Sequence, residues 1–399
     1  MTRPRIHWVS PLPPAGTEIA QYSRRLLPSL TEWADVTLWT DAETWDPRLE
    51  ELTEVRRYDT DRPDPLGQAV HSPGGARPEA IFIHIGNNID HHAAAFRLAR
   101  KVKSCLILHD TALLHFLNEL VARGQFRATQ YIAEAYRWYG PGGAAAIHKG
   151  LAGEGLDPIA FAAYPMWEAA VGQASAILTH TPEAYAAVSV RGIARAYRLD
   201  LPHAFGPARP RDALPEGPLR LVQFGHMSDN RRLEPILQGL SAYKARSVRP
   251  NFALDVFGQT HGMDGVSALV DALALGDRVT FHGFVPEERL NDAIRHADLV
   301  FNLRNPTMGE ASASQLKIWE NAAASVVTRH GWYANLPNDA VFKIGPDDEA
   351  EAIPMLLDRL TDDRALSIRM GAAGRRHLEA HHTVAAYSAG IKGIMEWRG

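Results

Sequence analysis

Hydrophobic positions in this chain fall into short unbroken runs, and between them apolar residues recur every three or four positions. The runs "RIHWVSPL" (5–12), "VTLWT" (36–40), "AIFIHIG" (80–86), "CLILHD" (105–110) and "AILTHT" (176–181) predict strands in the first half. Most of them lack polar alternation, as parallel strands covered on both faces do. Ile19, Leu26, Leu27, Leu30 and Trp33 repeat at helical spacing between the first two runs. A long helical insertion is expected over 111–150. The stretch 199–220 carries five prolines and no periodicity, which marks a linker. The pattern then restarts. Strands are predicted at 219–225, 252–258, 278–284, 299–304 and 325–331, with helices at 232–246, 264–275, 287–297, 313–323 and 349–361.

Length fits this division. A chain of 399 residues exceeds one ordinary core, and two domains of roughly 150–200 residues are expected. The expected boundaries are 1–205 and 218–383, with a last helix over 384–399 that can pack back on the first domain. Two α/β halves in series predict twin doubly wound domains. The composition, 46% hydrophobic and 22% charged, is that of a globular protein, and a net charge of −4 gives no global signal for nucleic acid. The single cysteine, Cys105, excludes a disulfide framework and a thiolate metal site. The N-terminal segment has no apolar core of a signal peptide, and no apolar stretch reaches membrane-spanning length, so the expected compartment is the cytoplasm.

Ligands of open α/β sheets bind beyond the carboxyl ends of the strands. Those positions are therefore the ones to read for chemistry. Gly16 and Thr17 stand where a strand turns into a helix, and free N–H groups there suit an anion; a plain turn capped by Thr17 explains them equally well. "GHMSDNRR" (225–232) brings Arg231, Arg232 and His226 to a second such turn, either to neutralise a diphosphate or as a solvated basic turn. His109 and Asp110 end a buried strand, where a histidine can meet a sugar hydroxyl or carry protons; the bland reading is a satisfied structural histidine. In "GEASAS" (309–314), Ser312 or Ser314 can cap the following helix, and Glu310 just ahead either accepts from hydroxyls or serves the helix start. The D-x-D at 59–61 lies in a polar Pro-rich loop and reads as solvated, and the His pairs at 91–92 and 381–382 lack metal-ligand spacing.

The ordered series "PLPPAGTEIAQYS", "IGNNIDHH", "LILHDTALLHFL", "YPMWEAAVGQASAILTHT", "FGHMSDNRR", "VTFHGFVPEERLNDAIRHADLVFNLRNPTMGEASAS" and "GWYANLP" resembles the retaining GT-B glycosyltransferases, specifically glycosyltransferase family 4. The resemblance covers nearly the whole chain. It implies an α/β GT-B fold, two Rossmann-like domains facing across a cleft. It also implies transfer of a sugar, with retention and without a metal or other cofactor, from a nucleotide-diphosphate sugar to a glycan, glycolipid or small-molecule acceptor, as in surface polysaccharide synthesis. Closure excludes water, and electrostatic stabilisation of the leaving diphosphate carries much of the catalysis.

By position, the resemblance makes His109 and Glu310 the catalytic pair. It puts Gly16, Thr17, His226, Arg231, Phe284, Val285, Ser312, Ser314, Gln315 and Lys317 on the donor, and Glu18, Asn87, Asn88, His91 and Asp110 on the acceptor side. Two positions depart from the family pattern. His226 replaces the usual basic residue after the strand-end glycine, and the E-x7-E spacing is absent, since nine residues separate Glu310 from Glu320. An alternative alignment puts Lys317 near the second glutamate's place, where it can contact phosphate but cannot accept from a ribose hydroxyl. A degenerate sugar-nucleotide binder or partner subunit, and a sugar-nucleotide epimerase, stand as alternatives. The segment 93–104, with four positive charges and no acid, reads as a solvated helix face or as a contact with anionic lipid on the inner face of the membrane.

Overall fold

The computed structural model describes residues 3–60, 66, 79–154, 158–208, 211, 213–247, 250–259 and 265–396. The chain forms two compact units. The first comprises Met1–Ala204, Met308–Ala311 and Thr383–Gly399; the second comprises Phe205–Thr307 and Ser312–His382.

The first unit is built on a seven-stranded parallel sheet of order β3-β2-β1-β4-β5-β6-β7. Its strands are β1 (Arg5–Val9), β2 (Asp35–Thr40), β3 (Glu54–Arg57), β4 (Glu79–Ile85), β5 (Cys105–Leu108), β6 (Ala176–Thr179) and β7 (Arg195–Arg198). The central strands are the apolar runs read from the sequence, and β5, with Cys105, is buried throughout. The expected insertion forms two helices, Leu114–Ala122 and Ala128–Leu151. The second bends at Gly140, where φ is 66° and the following Pro141 has no N–H to give. The last helix, Val384–Glu396, packs on Glu18–Thr31 within this unit. Trp33 Nε1 donates to Ser388 Oγ at 2.9 Å, and Tyr387, Ile391, Ile394 and Met395 are buried. A parallel bridge pairs His203 with Thr383, so the outgoing and returning passes of the chain run side by side in this unit.

The second unit carries a six-stranded parallel sheet of order β10-β9-β8-β11-β12-β13. Its strands are β8 (Leu219–Phe224), β9 (Phe252–Phe257), β10 (Val279–Gly283), β11 (Leu299–Asn302), β12 (Ser325–Thr328) and β13 (Phe342–Ile344). Leu221, Leu254, Phe301 and Val326 meet the helices Leu233–Arg246 and Glu349–Asp362 in one core cluster. Gly225 (φ +117°) and Gly258 (φ +119°) end β8 and β9; a Cβ on Gly258 would lie 1.9 Å from the Gly225 carbonyl oxygen, so only glycine allows the two strand ends to meet.

In each sheet the strand order reverses once, between β1 and β4 and between β8 and β11. The crevice beyond such a switch point is where doubly wound sheets hold ligands. The loops after these strands are those singled out from the sequence. Among the described residues no helix is long and apolar enough to cross a membrane. Asp61 of the D-x-D, and residues 260–262 after β9, lie outside the described residues.

Candidate functional site

At the switch point of the first unit, Thr17 caps the helix Glu18–Thr31, its hydroxyl accepting from the Ile19 N–H at 3.3 Å. A Cβ on the preceding Gly16 would meet nothing within 4 Å, so packing does not require glycine there and the approach to the backbone is open. Glu18 is exposed, 3.8 Å from Arg25. On the facing loop, Asn88 caps Ile89–Ala99 by accepting from the Asp90 N–H at 2.9 Å, and His91 lies in the first turn. The Asn87 N–H donates to Asp110 Oδ2 at 3.0 Å, tying the loop after β4 to the loop after β5. Gly86 leaves room for this junction: a Cβ would stand 3.0 Å from His92 Nε2 and 3.2 Å from Asp110 Oδ2.

His109 follows β5 directly. Its N–H donates to the Ile85 carbonyl at 2.8 Å, and its Nε2 lies 2.8 Å from His84 Nδ1. Tyr22 stands edge-on to it at 5.4 Å, and the His180 ring is 5.1 Å away. Burial, reinforced by the neighbouring imidazoles, pushes His109 and His84 well below the usual histidine range. Both rings are therefore neutral around pH 7. Burial brings His92 down to about 4.

The short segment Met308–Ala311 belongs to this unit. The Met308 carbonyl accepts from the N–H groups of Thr111 (2.9 Å) and Ala112 (3.0 Å), directly downstream of His109 and Asp110. Glu310 Oε2 accepts from the Met308 N–H at 2.7 Å. The carboxylate thus folds back on its own loop. Gly309 (φ +79°) is obligatory here, since a Cβ would sit 1.9 Å from Thr111 Oγ1.

At the switch point of the second unit, the turn after β8 is a single 3₁₀ turn, Asp229–Arg231, followed by Arg232 at φ 60° before the helix Leu233–Arg246 begins. The Arg231 guanidinium lies over Gly225, with Nη1 donating to the Phe224 carbonyl at 3.3 Å. Arg232 is otherwise committed: Nε donates to Glu349 Oε1 at 2.6 Å and Nη2 to Asp347 Oδ1 at 2.6 Å. Of the two arginines expected near a diphosphate, Arg231 alone remains beside the strand-end glycine. His226 is exposed in the same turn.

Ser312 is the N-cap of Ala313–Glu320, its Oγ accepting from the Gln315 N–H at 3.1 Å. Ser314 lies inside the helix instead. Gln315, also expected on the donor, is fully buried, with Oε1 accepting from Asn302 at 2.9 Å and Nε2 donating to Ser325 Oγ at 2.8 Å. Lys317 is buried too, and its ammonium donates to Glu287, so its charge is answered within the unit. Phe284 is 87% exposed just after β10, while Val285 packs partly against Val222, Phe224 and Phe257.

Sequence reading passed over His84, Tyr22, His180, Tyr387 and Glu287. A usable signal existed for both of these histidines: the adjacent strands β4, β5 and β6 each carry a histidine at or just past the carboxyl end, so His84 and His180 match the place of His109. The basic segment 93–104 is largely engaged. Arg97 donates to Thr60 and Gln125, Arg100 to the Ala169 carbonyl, and Lys101 to the Thr60 carbonyl.

No family model and no curated relative matches the chain. Solved structures do. A sucrose-phosphate synthase from Thermosynechococcus elongatus is similar at a TM-score of 0.61 and 15% identity, over 99% of each chain. HepE of Anabaena, in complex with UDP, is similar at 0.62 and 13%, over 98% of this chain and 99% of that one. WaaG, a glycosyltransferase involved in lipopolysaccharide biosynthesis, is similar at 0.58 and 13%, over 98% and 99%. The two parallel-sheet units thus have the GT-B fold of these glycosyltransferases.

Proposed function

We propose that this chain is a glycosyltransferase that moves a sugar from a nucleotide diphosphate to a hydroxyl acceptor. The observation that carries the reading is the joining of His109–Asp110 to the Glu310 loop: Thr111 and Ala112 hold Met308, so a neutral imidazole at the end of β5 and the carboxylate of this loop are held in one unit. Such a pair suits hydroxyl groups. A neutral histidine can accept or donate, and a carboxylate accepts. In the second unit, Arg231 beside Gly225 and the Ser312-capped helix start offer a guanidinium and free N–H groups to a diphosphate. The acceptor groups are Glu18, Asn87, Asn88, His91 and Asp110. Retention of configuration and independence of metal belong to this proposal through the family resemblance. HepE in complex with UDP makes uridine diphosphate the first base to test.

A thermal-shift panel of nucleoside diphosphates and their sugars tests binding. A ligand at 100 times its Kd stabilises by about 2.7 kcal/mol, enough to rank bases. Sugar release or transfer then tests catalysis. His109→Ala and Glu310→Gln are each expected to lower kcat by more than about 10-fold while the diphosphate still binds. Undiminished turnover in both variants would sink the assignment. A non-catalytic sugar-nucleotide binder is the second reading. It is favoured by the Lys317–Glu287 pair, which occupies the region where the family's second glutamate is expected. Binding without any turnover would select it.

A further inference from the structure

His84 lies within β4, fully buried, and has no place in the proposal above. Its ring stacks on that of His109, with centroids 5.1 Å apart and planes 21° from parallel, and its Nδ1 is 2.8 Å from His109 Nε2. Two neutral imidazoles have one N–H each, so in this bond one ring donates and the other accepts. The remaining nitrogen of His84 decides which. Its Nε2 is buried and has no hydrogen-bond partner among the described residues. The His84 ring itself packs against Trp8, with centroids 4.7 Å apart and planes at 59°, and against Tyr22, at 5.3 Å and 70°. An N–H rests favourably on the face of an aromatic ring. A bare lone pair there would meet the ring's electron density with its hydration lost.

We infer that His84 is a positioning residue: it keeps its proton on Nε2, accepts through Nδ1 from His109 Nε2–H, and so fixes His109 with a bare, proton-accepting Nδ1. His109 as a residue keeps partial exposure, and its side-chain hydrogen bond to His84 runs through Nε2, which leaves Nδ1 for another partner. A ring locked in this tautomer takes a hydrogen bond from a hydroxyl. It offers nothing to a carboxylate or phosphate oxygen at the same atom. The group that His109 recognises is therefore a sugar hydroxyl acting as donor. This rests on the reading of His109 given above, but the tautomer itself does not.

The test is nitrogen NMR on the full chain labelled at histidine, with the His109 signals assigned through His109→Gln. The expected spectrum has His109 protonated at Nε2, bare at Nδ1, and coupled through the hydrogen bond to His84 Nδ1. His84→Asn keeps an acceptor oxygen near the Nδ1 position and should preserve the His109 pattern. His84→Leu removes the acceptor and should give a mixture of tautomers. In turnover, the leucine variant should lose roughly 10-fold or more in kcat, and the asparagine variant should recover most of it. If the leucine variant does not fold, the wild-type spectrum and the asparagine variant still decide. His109 protonated at Nδ1 in the wild type, or an unchanged pattern in His84→Leu, overturns the inference. A tautomer mixture with undiminished kcat overturns its catalytic consequence. A confirmed tautomer in a chain that transfers no sugar would sink the transferase reading alone.

Discussion

His92 shows what burial does to a single imidazole. It titrates at about 4 in the folded chain against an ordinary 6.5, mainly because burial disfavours the charged ring. The folded value is the depressed one. As pH falls below 6.5 the unfolded chain takes up a proton that the folded chain refuses, and stability is lost until pH reaches about 4. His84 and His109 are shifted in the same direction. The loss from His92 alone is on the order of 3 kcal/mol. We therefore expect the urea midpoint to drop steadily between pH 6.5 and pH 4 and to recover on return to neutral pH. A flat midpoint over that range would show that these rings are hydrated in solution. His109 was legible in the sequence because it ends an apolar run. His84 taken alone looks like any other core position inside a run, and only its match to His109 and His180 at neighbouring strand ends marks it out.

Elements read differently. Strands buried on both faces announce themselves as apolar runs, and β1, β4, β5, β8 and β11 were all visible in the sequence. The edge strands "EVRR" (β3) and "RAYR" (β7) were not, because an edge strand is half solvated and carries charge where a central one carries valine. Capping was legible at Thr17 and undecided between Ser312 and Ser314, which stand two positions apart. The glycines provide a test at this scale. Gly258→Ala forces a methyl group to within 1.9 Å of the Gly225 carbonyl oxygen at a positive φ, so it should destabilise the chain by more than about 2 kcal/mol. Gly16→Ala meets no neighbour within 4 Å and should leave the melting temperature within about 1 °C, while weakening nucleotide-sugar binding if the ligand approaches that backbone. Equal loss of stability in both would contradict the packing described for β8 and β9. The pairing of Lys317 with Glu287 was out of reach of the sequence, because they stand thirty positions apart on different helices.

For the whole molecule, the informative feature is the return of the chain. The last helix puts Tyr387 against Tyr22 at 5.7 Å and against His180 at 5.8 Å, so it walls in the same imidazoles that the site uses. A chain ending at His382 should therefore lose cooperativity in the first unit, seen as lost protection of the amides of Glu18–Thr31 in hydrogen exchange, with β8 and β9 protected as before. Unchanged protection of Glu18–Thr31 would show the helix to be dispensable. The same return sets an order of events during synthesis. Residues of the first sheet leave the ribosome before those of the second unit, yet the helix Val384–Glu396 that completes their unit is made after it. Until then the helix Glu18–Thr31, with Tyr22 on it and Trp33 just past its end, waits with an uncovered apolar face. The first unit is thus begun before the second and completed after it, and a messenger cut short ahead of residue 384 yields a second unit that can fold while the first cannot close.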